Sequence, residues 1–370
     1  MKIAITGQEG FIGYHLYNTL KYRFSSYELI DFKKPYFQNP KYIDKIISSA
    51  DTIIHLAGVN RAENEEEILE KNLFLTEELI NSITRTGFSG KLLFASSIQQ
   101  KDDNKYGISK KISSENFFAA SIEYNFTFIN LVIPNVFGPF CRHNYNSFIA
   151  TFCYNSLNKI ENVVDKDNNV SLIYVDNLIN IIIKKLQTES SSEFNVSEDI
   201  NINVKEVSKI IKNFNEIYIK NGNIPDLNNQ FKIDLFNTFH SYIDSETFFP
   251  KKHNLFKDDR GAFSEILKTS SKGQISYSTT NPGYVRGDHF HTRKIERFSV
   301  IEGEAIIKIR KIGSAKVYSY NLSGNTPCYI DMKVWHTHNI QNIGNTNLIT
   351  IFWINEFYNE NDSDTFFEKV

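Results

Sequence analysis

The sequence predicts an α/β domain built on a Rossmann-like parallel sheet, followed by an all-β domain. Three observations carry that expectation. The chain opens on a strand-like run, Lys2–Thr6, that passes directly into Gly7-x-x-Gly10-x-x-Gly13. The first half then alternates short apolar runs with amphipathic helical stretches, the pattern that places helices on both faces of a parallel sheet. After about Pro250 the rhythm changes to short β-rich runs separated by Gly, Asn, Asp and Pro, which suggests a small barrel or sandwich.

Taken in order, strands are expected at Lys2–Thr6, Glu28–Asp31, Thr52–Leu56, Lys91–Ala95 and Thr127–Ile133. Helical patterns lie between them, most clearly Glu63–Thr86 and Tyr106–Tyr124. A strand at Ser171–Val175 leads into a helix from Asp176 to about Gln187, and a helical segment covers Val204–Lys220. The later β-rich runs are Gln274–Ser278, Arg297–Ile301, Ala305–Lys311, Val317–Asn321 and Leu348–Ile354. PKKHN interrupts the pattern within Thr247–Asn254, so the expected domains are 1–247 and 248–370.

A length of 370 residues suffices for two domains with their own cores. Lys and Arg number 41 against 43 Asp and Glu, a formal net charge of −2, and no face-sized basic excess points to a nucleic-acid partner. No apolar run approaches the ~20 residues that span a bilayer, and KIAIT runs straight into glycines with no signal-peptide pattern. Cys141, Cys153 and Cys328 are scattered without a CxxC pair, so reduced thiols and a cytoplasmic location are expected.

The glycines after the first strand allow a tight turn and a close approach of a pyrophosphate, with the following helix N-terminus supplying N–H groups. Asp31, at the end of the second strand, suits the ribose 2′-OH of NAD, whereas Lys33 and Lys34 suit the 2′-phosphate of NADP. In Tyr106-Gly-Ile-Ser-Lys110 the Tyr and Lys share one helix face at i, i+4. An ammonium there is expected to lower the phenol pKa and ready it for proton transfer. Ser97, in FASSIQ, is placed to hydrogen-bond the same oxygen.

With His55-Leu-Ala-Gly58, these residues resemble the extended short-chain dehydrogenase/reductase family, in its nucleotide-sugar branch, over roughly residues 1–245. The resemblance implies a catalytic set of Ser97, Tyr106 and Lys110, with Tyr106 the acid/base and Lys110 also holding the nicotinamide ribose. It also implies a cofactor site formed by Gly7, Gly10, Phe11, Ile12, Gly13, Asp31, Lys33, Leu56 and Ala57. Pro134-Asn135-Val136-Phe137-Gly138 resembles the segment that lines the sugar-nucleotide site, which makes Asn135 a substrate candidate. Two features depart from the family: Ser97 and Tyr106 are unusually close in sequence, and Val132 stands where Arg is frequent.

In the second half, Gly283 to Gly303 reads G-x5-H-x-H-x4-E-x6-G. His289 and His291 alternate along a strand and so point to one face. Glu296 follows across a turn, and His338 is the candidate fourth ligand, with His336 as its rival and Asn342 at H-x3-N. Three imidazoles and a carboxylate suit Zn2+ or another divalent metal. The stretch resembles the cupin (jelly-roll barrel) fold, although Lys333 and Trp335 depart from its second motif. Tyr284–His289 and Asp259–Phe263 also resemble the metal-free nucleotide-sugar 3,5-epimerases. That likeness implies His289 as a base and Arg260 and Arg286 as substrate clamps, so ligand and base both stand as roles for His289.

The order of domains, with HLAGVNR, SSIQ, NYNSFIATFCY, DDRGAF and HNIQN, resembles the bifunctional capsular-polysaccharide enzymes of the CapF type. This implies a UDP-4-keto-2-acetamido-2,6-dideoxy-L-hexose substrate. The cupin half would epimerise C3, and the first half would reduce C4 with NADPH to give UDP-2-acetamido-2,6-dideoxy-L-talose. It further implies a zinc-containing homodimer. Other readings are a monofunctional nucleotide-sugar 4-reductase or 4-epimerase whose cupin half serves dimerisation or sugar binding, and a cupin oxygenase fused to a dehydrogenase.

Overall fold

The structure, a computed structural model describing residues 1–164 and 167–370, divides into two units. One comprises 1–212 and 228–243, the other 213–227 and 244–370. A single cut near residue 247 would assign 213–227 to the first half. Those residues group with the second because Ile224 N–H donates to Lys268 O and Ser270 N–H to Ile224 O.

The strands of the first unit are β1 (Lys2–Thr6), β2 (Glu28–Ile30), β3 (Thr52–His55), β4 (Lys91–Ser97), β5 (Thr127–Ile133), β6 (Asn135–Phe137), β7 (Asn169–Tyr174), β8 (Ser192–Asn195) and β9 (Ile200–Asn203). Six of them form a parallel sheet in the order β2-β1-β3-β4-β5-β8. Helices α1 (Phe11–Arg23), α2 (Pro40–Ser49), α3 (Glu65–Thr86), α4 (Lys105–Tyr124), α5 (Phe148–Leu157) and α6 (Val175–Lys185) follow in chain order. Leu16 and Leu20 of α1 pack with Ile179 and Ile182 of α6 in one buried cluster. Ile43 and Ile47 of α2, Leu79 and Ile83 of α3 and Phe117 of α4 fill another. Two separate cores account for strands that are buried on both faces, as a parallel sheet requires. Strand order reverses between β1 and β3, and the crevice at their carboxyl ends is where such sheets bind ligands.

The expected helices and strands are present with shifted ends. The segment from Val204 is α-helical only to Phe214 and continues as a π-helical turn over Asn215–Lys220. Helix α2 has its signal in capping rather than in a strand–helix rhythm: Asn39 caps it, Pro40 occupies its first position, and Ile43, Ile46 and Ile47 face inward.

The second unit contains β10 (Leu255–Asp258), β11 (Gly261–Lys268), β12 (Gln274–Thr280), β13 (Val285–Phe290), β14 (Glu296–Glu302), β15 (Glu304–Lys311), β16 (Val317–Ser323), β17 (Tyr329–Met332), β18 (His336–Asn342), β19 (Leu348–Ile354) and β20 (Phe366–Phe367). They form two antiparallel sheets, β10-β11-β12-β19-β14-β17 and β16-β15-β18-β13-β20. Val300, Ile307, Met332, Ile340 and Leu348 supply a core shared by both sheets. This is the predicted all-β, jelly-roll class of the second half. Among the described residues, no helix is long and apolar enough to cross a membrane.

Candidate active sites

In the first unit the glycines do distinct work. Gly7 has φ +72, and a Cβ there would lie 2.8 Å from Ala57 N, in the loop after β3. At Gly13 a Cβ would come within 2.1 Å of Gly7 O, so only glycine lets α1 close on the turn. Gly10 is the N-cap of α1 and offers no side chain to the first N–H groups, leaving that terminus open to an anion. Phe11 and Ile12 begin the helix and pack against the core, while Thr6 Oγ1 and Thr6 O accept from Ala57 N–H and Leu56 N–H. This cradle fits the pyrophosphate of a dinucleotide.

Beyond β2, Gln8 Nε2 donates to Asp31 Oδ1 at 2.6 Å and Gln8 Oε1 accepts from Phe32 N–H. Lys33 Nζ lies 3.6 Å from the other carboxylate oxygen of Asp31. Gln8 was not among the expected residues. It sits inside the glycine motif, at one of the two variable positions between Gly7 and Gly10.

Ser97 ends β4, accepts from Gln99 N–H, and acts on the Tyr106 phenol, favouring its ionised form. Burial pushes the Tyr106 phenol up to about 12, against the smaller opposing effect of Ser97. This corrects the expectation that Lys110 lowers it. The Lys110 Nζ donates to Ala95 O at 2.8 Å and lies 4.7 Å from the centre of the Phe94 ring. Burial drops the ammonium itself to about 8. His55 is a neutral core residue, since burial and then the Lys110 charge depress it to about 3; it stacks on Phe94 and shares a hydrogen bond with Thr6.

Tyr106 is carried by α4, whose placement depends on polar pairs with α3. Asn72 Nδ2 donates to Ser109 Oγ at 2.9 Å, and Thr76 Oγ1 to Ser113 Oγ at 2.7 Å. Asn72 also holds both backbone groups of Val59, fixing the loop after β3. The available signal was a pair of polar residues, Asn72 and Thr76, on the buried stripe of an amphipathic helix. Gly107 completes the fit, because a Cβ there would meet Gln99 O at 2.1 Å. Asn135, exposed on β6, donates to Ser171 O at 3.2 Å.

In the second unit, His289, His291, Glu296 and His338 come together with all four ligand atoms within 4.8 Å of one another. Two backbone devices produce the cluster. Asp288 is bulged out of the β13–β18 ladder, so Arg286 opposes Ile340 and His289 opposes His338. Since 338 and 340 lie on one face of β18, the bulge puts Arg286 and His289 on that face although they are three apart. Gly287 makes this possible: its φ is +101, and a Cβ would lie 2.6 Å from His338 O.

His291 Nδ1–H donates to Asp364 O at 2.6 Å and His338 Nδ1–H to His336 O at 3.3 Å, which turns each Nε2 toward Glu296. The distances to Glu296 Oε2 are 3.3 and 3.0 Å. All three atoms are buried without a well-angled hydrogen bond. Burial opposes ionisation of Glu296, yet His291 and His338 outweigh it and hold the carboxyl far below its usual range. Burial likewise lowers His291, but Glu296 prevails and raises it. Burial, then the neighbouring His338, brings His289 down to about 4. A buried unpaired polar group costs about 1–3 kcal/mol, so four converging ligands are poor stabilisers and a good seat for a positive charge. The donor set fits a divalent transition metal. His336 is outside the set; its Nδ1–H donates to Val334 O. Asn342 is structural, bonded to Thr280 O and Thr346 O.

Arg260 and Arg286 meet on one carboxylate. Arg260 Nη2 lies 2.5 Å from Asp258 Oδ2, and Arg286 Nη2 lies 3.3 Å from Asp258 Oδ1. Arg286 also donates to Thr279 O, and its Nε is buried without a partner.

Residues 3–202 match the NAD dependent epimerase/dehydratase family and residues 256–366 the polysaccharide biosynthesis C-terminal domain. A UDP-2-acetamido-2,6-beta-L-arabino-hexul-4-ose reductase of Pseudomonas aeruginosa is 31% identical over 369 residues, 99% of this chain and 98% of the relative. The crystal structure of the capsular polysaccharide assembling protein CapF from Staphylococcus aureus is 32% identical, with a TM-score of 0.87 over 100% of both chains. RMD from Pseudomonas aeruginosa, complexed with NADPH, shares the fold at 17% identity and a TM-score of 0.57, covering 65% of this chain and 98% of RMD.

Proposed function

Because this chain belongs to the NAD dependent epimerase/dehydratase family, as a capsular-polysaccharide enzyme of the CapF type, we propose that it epimerises and then reduces a UDP-4-keto-2-acetamido-2,6-dideoxy-L-hexose. The second unit epimerises C3, and the first reduces C4 to give UDP-2-acetamido-2,6-dideoxy-L-talose, with NADPH as reductant. The observation that carries this reading is one chain holding both a Ser97–Tyr106 proton-donor pair and a His289/His291/Glu296/His338 cluster beside Arg286.

For the reduction, NADPH supplies the hydride when bound to the Gly7–Gly13 cradle. Tyr106, protonated across the physiological range, gives its proton to the C4 oxygen as that oxygen gains charge. Ser97 acts on the phenol from the end of β4 and favours its ionised form, and Lys110, whose ammonium burial brings down to about 8, holds the nicotinamide ribose.

For the epimerisation, removal of the C3 proton α to the C4 ketone leaves an enolate, and return of a proton to the opposite face inverts C3. A divalent ion held by His289, His291, Glu296 and His338 would supply Lewis-acid stabilisation of enolate charge when bound. Arg286 and Arg260 hold the anionic portion of the substrate. The product is still a ketone, which is what the reductase half consumes. Incubation of the full chain with the 4-keto sugar and NADPH, followed by NMR of the product, tests the assignment. The C3-inverted alcohol is expected; an alcohol with C3 unchanged would reduce the chain to a 4-reductase.

A further inference from the structure

Asp364 belongs to no motif described above and lies 73 positions from His291, yet it makes the densest polar contacts in the second unit's site. Its backbone carbonyl accepts from His291 Nδ1–H at 2.6 Å. Its carboxylate accepts from the N–H groups of Thr292 at 3.1 and 3.2 Å, Arg293 at 3.0 Å and Lys294 at 3.2 Å, and from Thr292 Oγ1 at 2.6 Å. Three successive backbone N–H groups on one carboxylate form an anion nest. The preceding residue adds a further tie, since Ser363 O accepts from the fully buried Lys294 Nζ at 2.6 Å.

The same segment flanks the other half of the site. In β20, Phe367 pairs with His289 and Phe366 with Phe290, along the free edge of β13. Asp364 itself has φ 43, a left-handed conformation that Asp and Asn tolerate better than most residues.

We propose that Asp364 is a positioning residue for the metal site. By fixing the 292–294 turn, its carboxylate holds its own carbonyl against His291 Nδ1–H. His291 therefore stays in the tautomer whose Nε2 faces Glu296 and His338. The 363–367 segment, through this contact, sets the affinity for a divalent ion. The inference rests on the metal reading of His289, His291, Glu296 and His338.

The test is a Zn(II) competition titration against a chromophoric chelator, using the full chain and its Asp364→Gly, Asp364→Asn and Thr292→Val variants. Each variant is also loaded with Co(II) for its electronic spectrum. Glycine keeps the left-handed backbone and removes the carboxylate, so Zn(II) affinity should fall about 10–100-fold, the range for lost outer-sphere partners. The Co(II) spectrum should change with it. Asparagine and Thr292→Val should each weaken binding by less. A nest that serves only stability would lower the melting point of the metal-free chain and leave Zn(II) affinity and the Co(II) spectrum alone. Affinity within two-fold of the parent in Asp364→Gly overturns the proposal, and Asp364→Asn is judged on the same criterion should the glycine variant not fold. A parent chain that takes up no Zn(II) overturns the metal reading itself, a result separable from equal binding by parent and variants.

Discussion

Lys110 Nζ sits 5.7 Å from the centre of the Tyr106 ring while donating its hydrogen bond to Ala95 O rather than to the phenol. The pair therefore divides its protons: burial keeps Tyr106 protonated to about 12 and lets Lys110 lose its charge near 8. The reduction rate should fall as pH rises through about 8, with no break from the phenol until far higher pH. A pH profile of NADPH oxidation on the 4-keto sugar checks this, and a single break near 10 would assign the limiting group elsewhere.

The same lysine leaves a mark on stability. Its folded pKa of about 8 is below the ordinary 10.5, so between those values the unfolded chain binds more protons. Stability then rises with pH across that window, and the burial penalty is fully present below it. Lys110→Met should flatten this dependence, measured as unfolding midpoints in buffers from pH 7 to 10.5. It should also abolish the reduction.

Gly287 is a single point of failure for the second site. A Cβ 2.6 Å from His338 O, at φ +101, cannot be absorbed without moving the β13–β18 pair. Gly287→Ala should cost about 1–3 kcal/mol from backbone strain alone, seen in thermal unfolding. It should also lower the bound metal per chain by elemental analysis.

Arg286 is half committed to Asp258 and Thr279 O, with a buried Nε left over. Arg286→Ala should raise the KM for the 4-keto sugar in C3 exchange by about 10–100-fold, the loss of a charge-assisted contact of ~1.5–3 kcal/mol. Metal content should stay at the parent level. An unchanged KM would remove Arg286 from the substrate site.

Much of this was legible because it is local in sequence. Gly7-x-x-Gly10-x-x-Gly13 and Tyr106-x-x-x-Lys110 each lie on one turn or one helix, so spacing fixes their geometry. His289-x-His291 and Glu296 are also local, and only His338 had to be chosen from a distance. What escaped depends on depth or on distant partners. The direction of the Tyr106 shift follows from its burial, which spacing alone does not contain. The shared face of Arg286 and His289 depends on a bulge that strict alternation would deny. Asn72 and Asp364 act on residues 37 and 73 positions away, beyond any local pattern.

The central claim is that two chemistries occupy two separate sites of one chain, and solvent exchange tests it most directly. The 4-keto sugar is incubated in deuterated water without NADPH and C3 is read by NMR. Deuterium should enter C3 with the parent chain and equally with Tyr106→Phe, which cannot reduce C4, and should be absent with His289→Ala. Loss of C3 exchange in Tyr106→Phe, or its persistence in His289→Ala, would contradict the account.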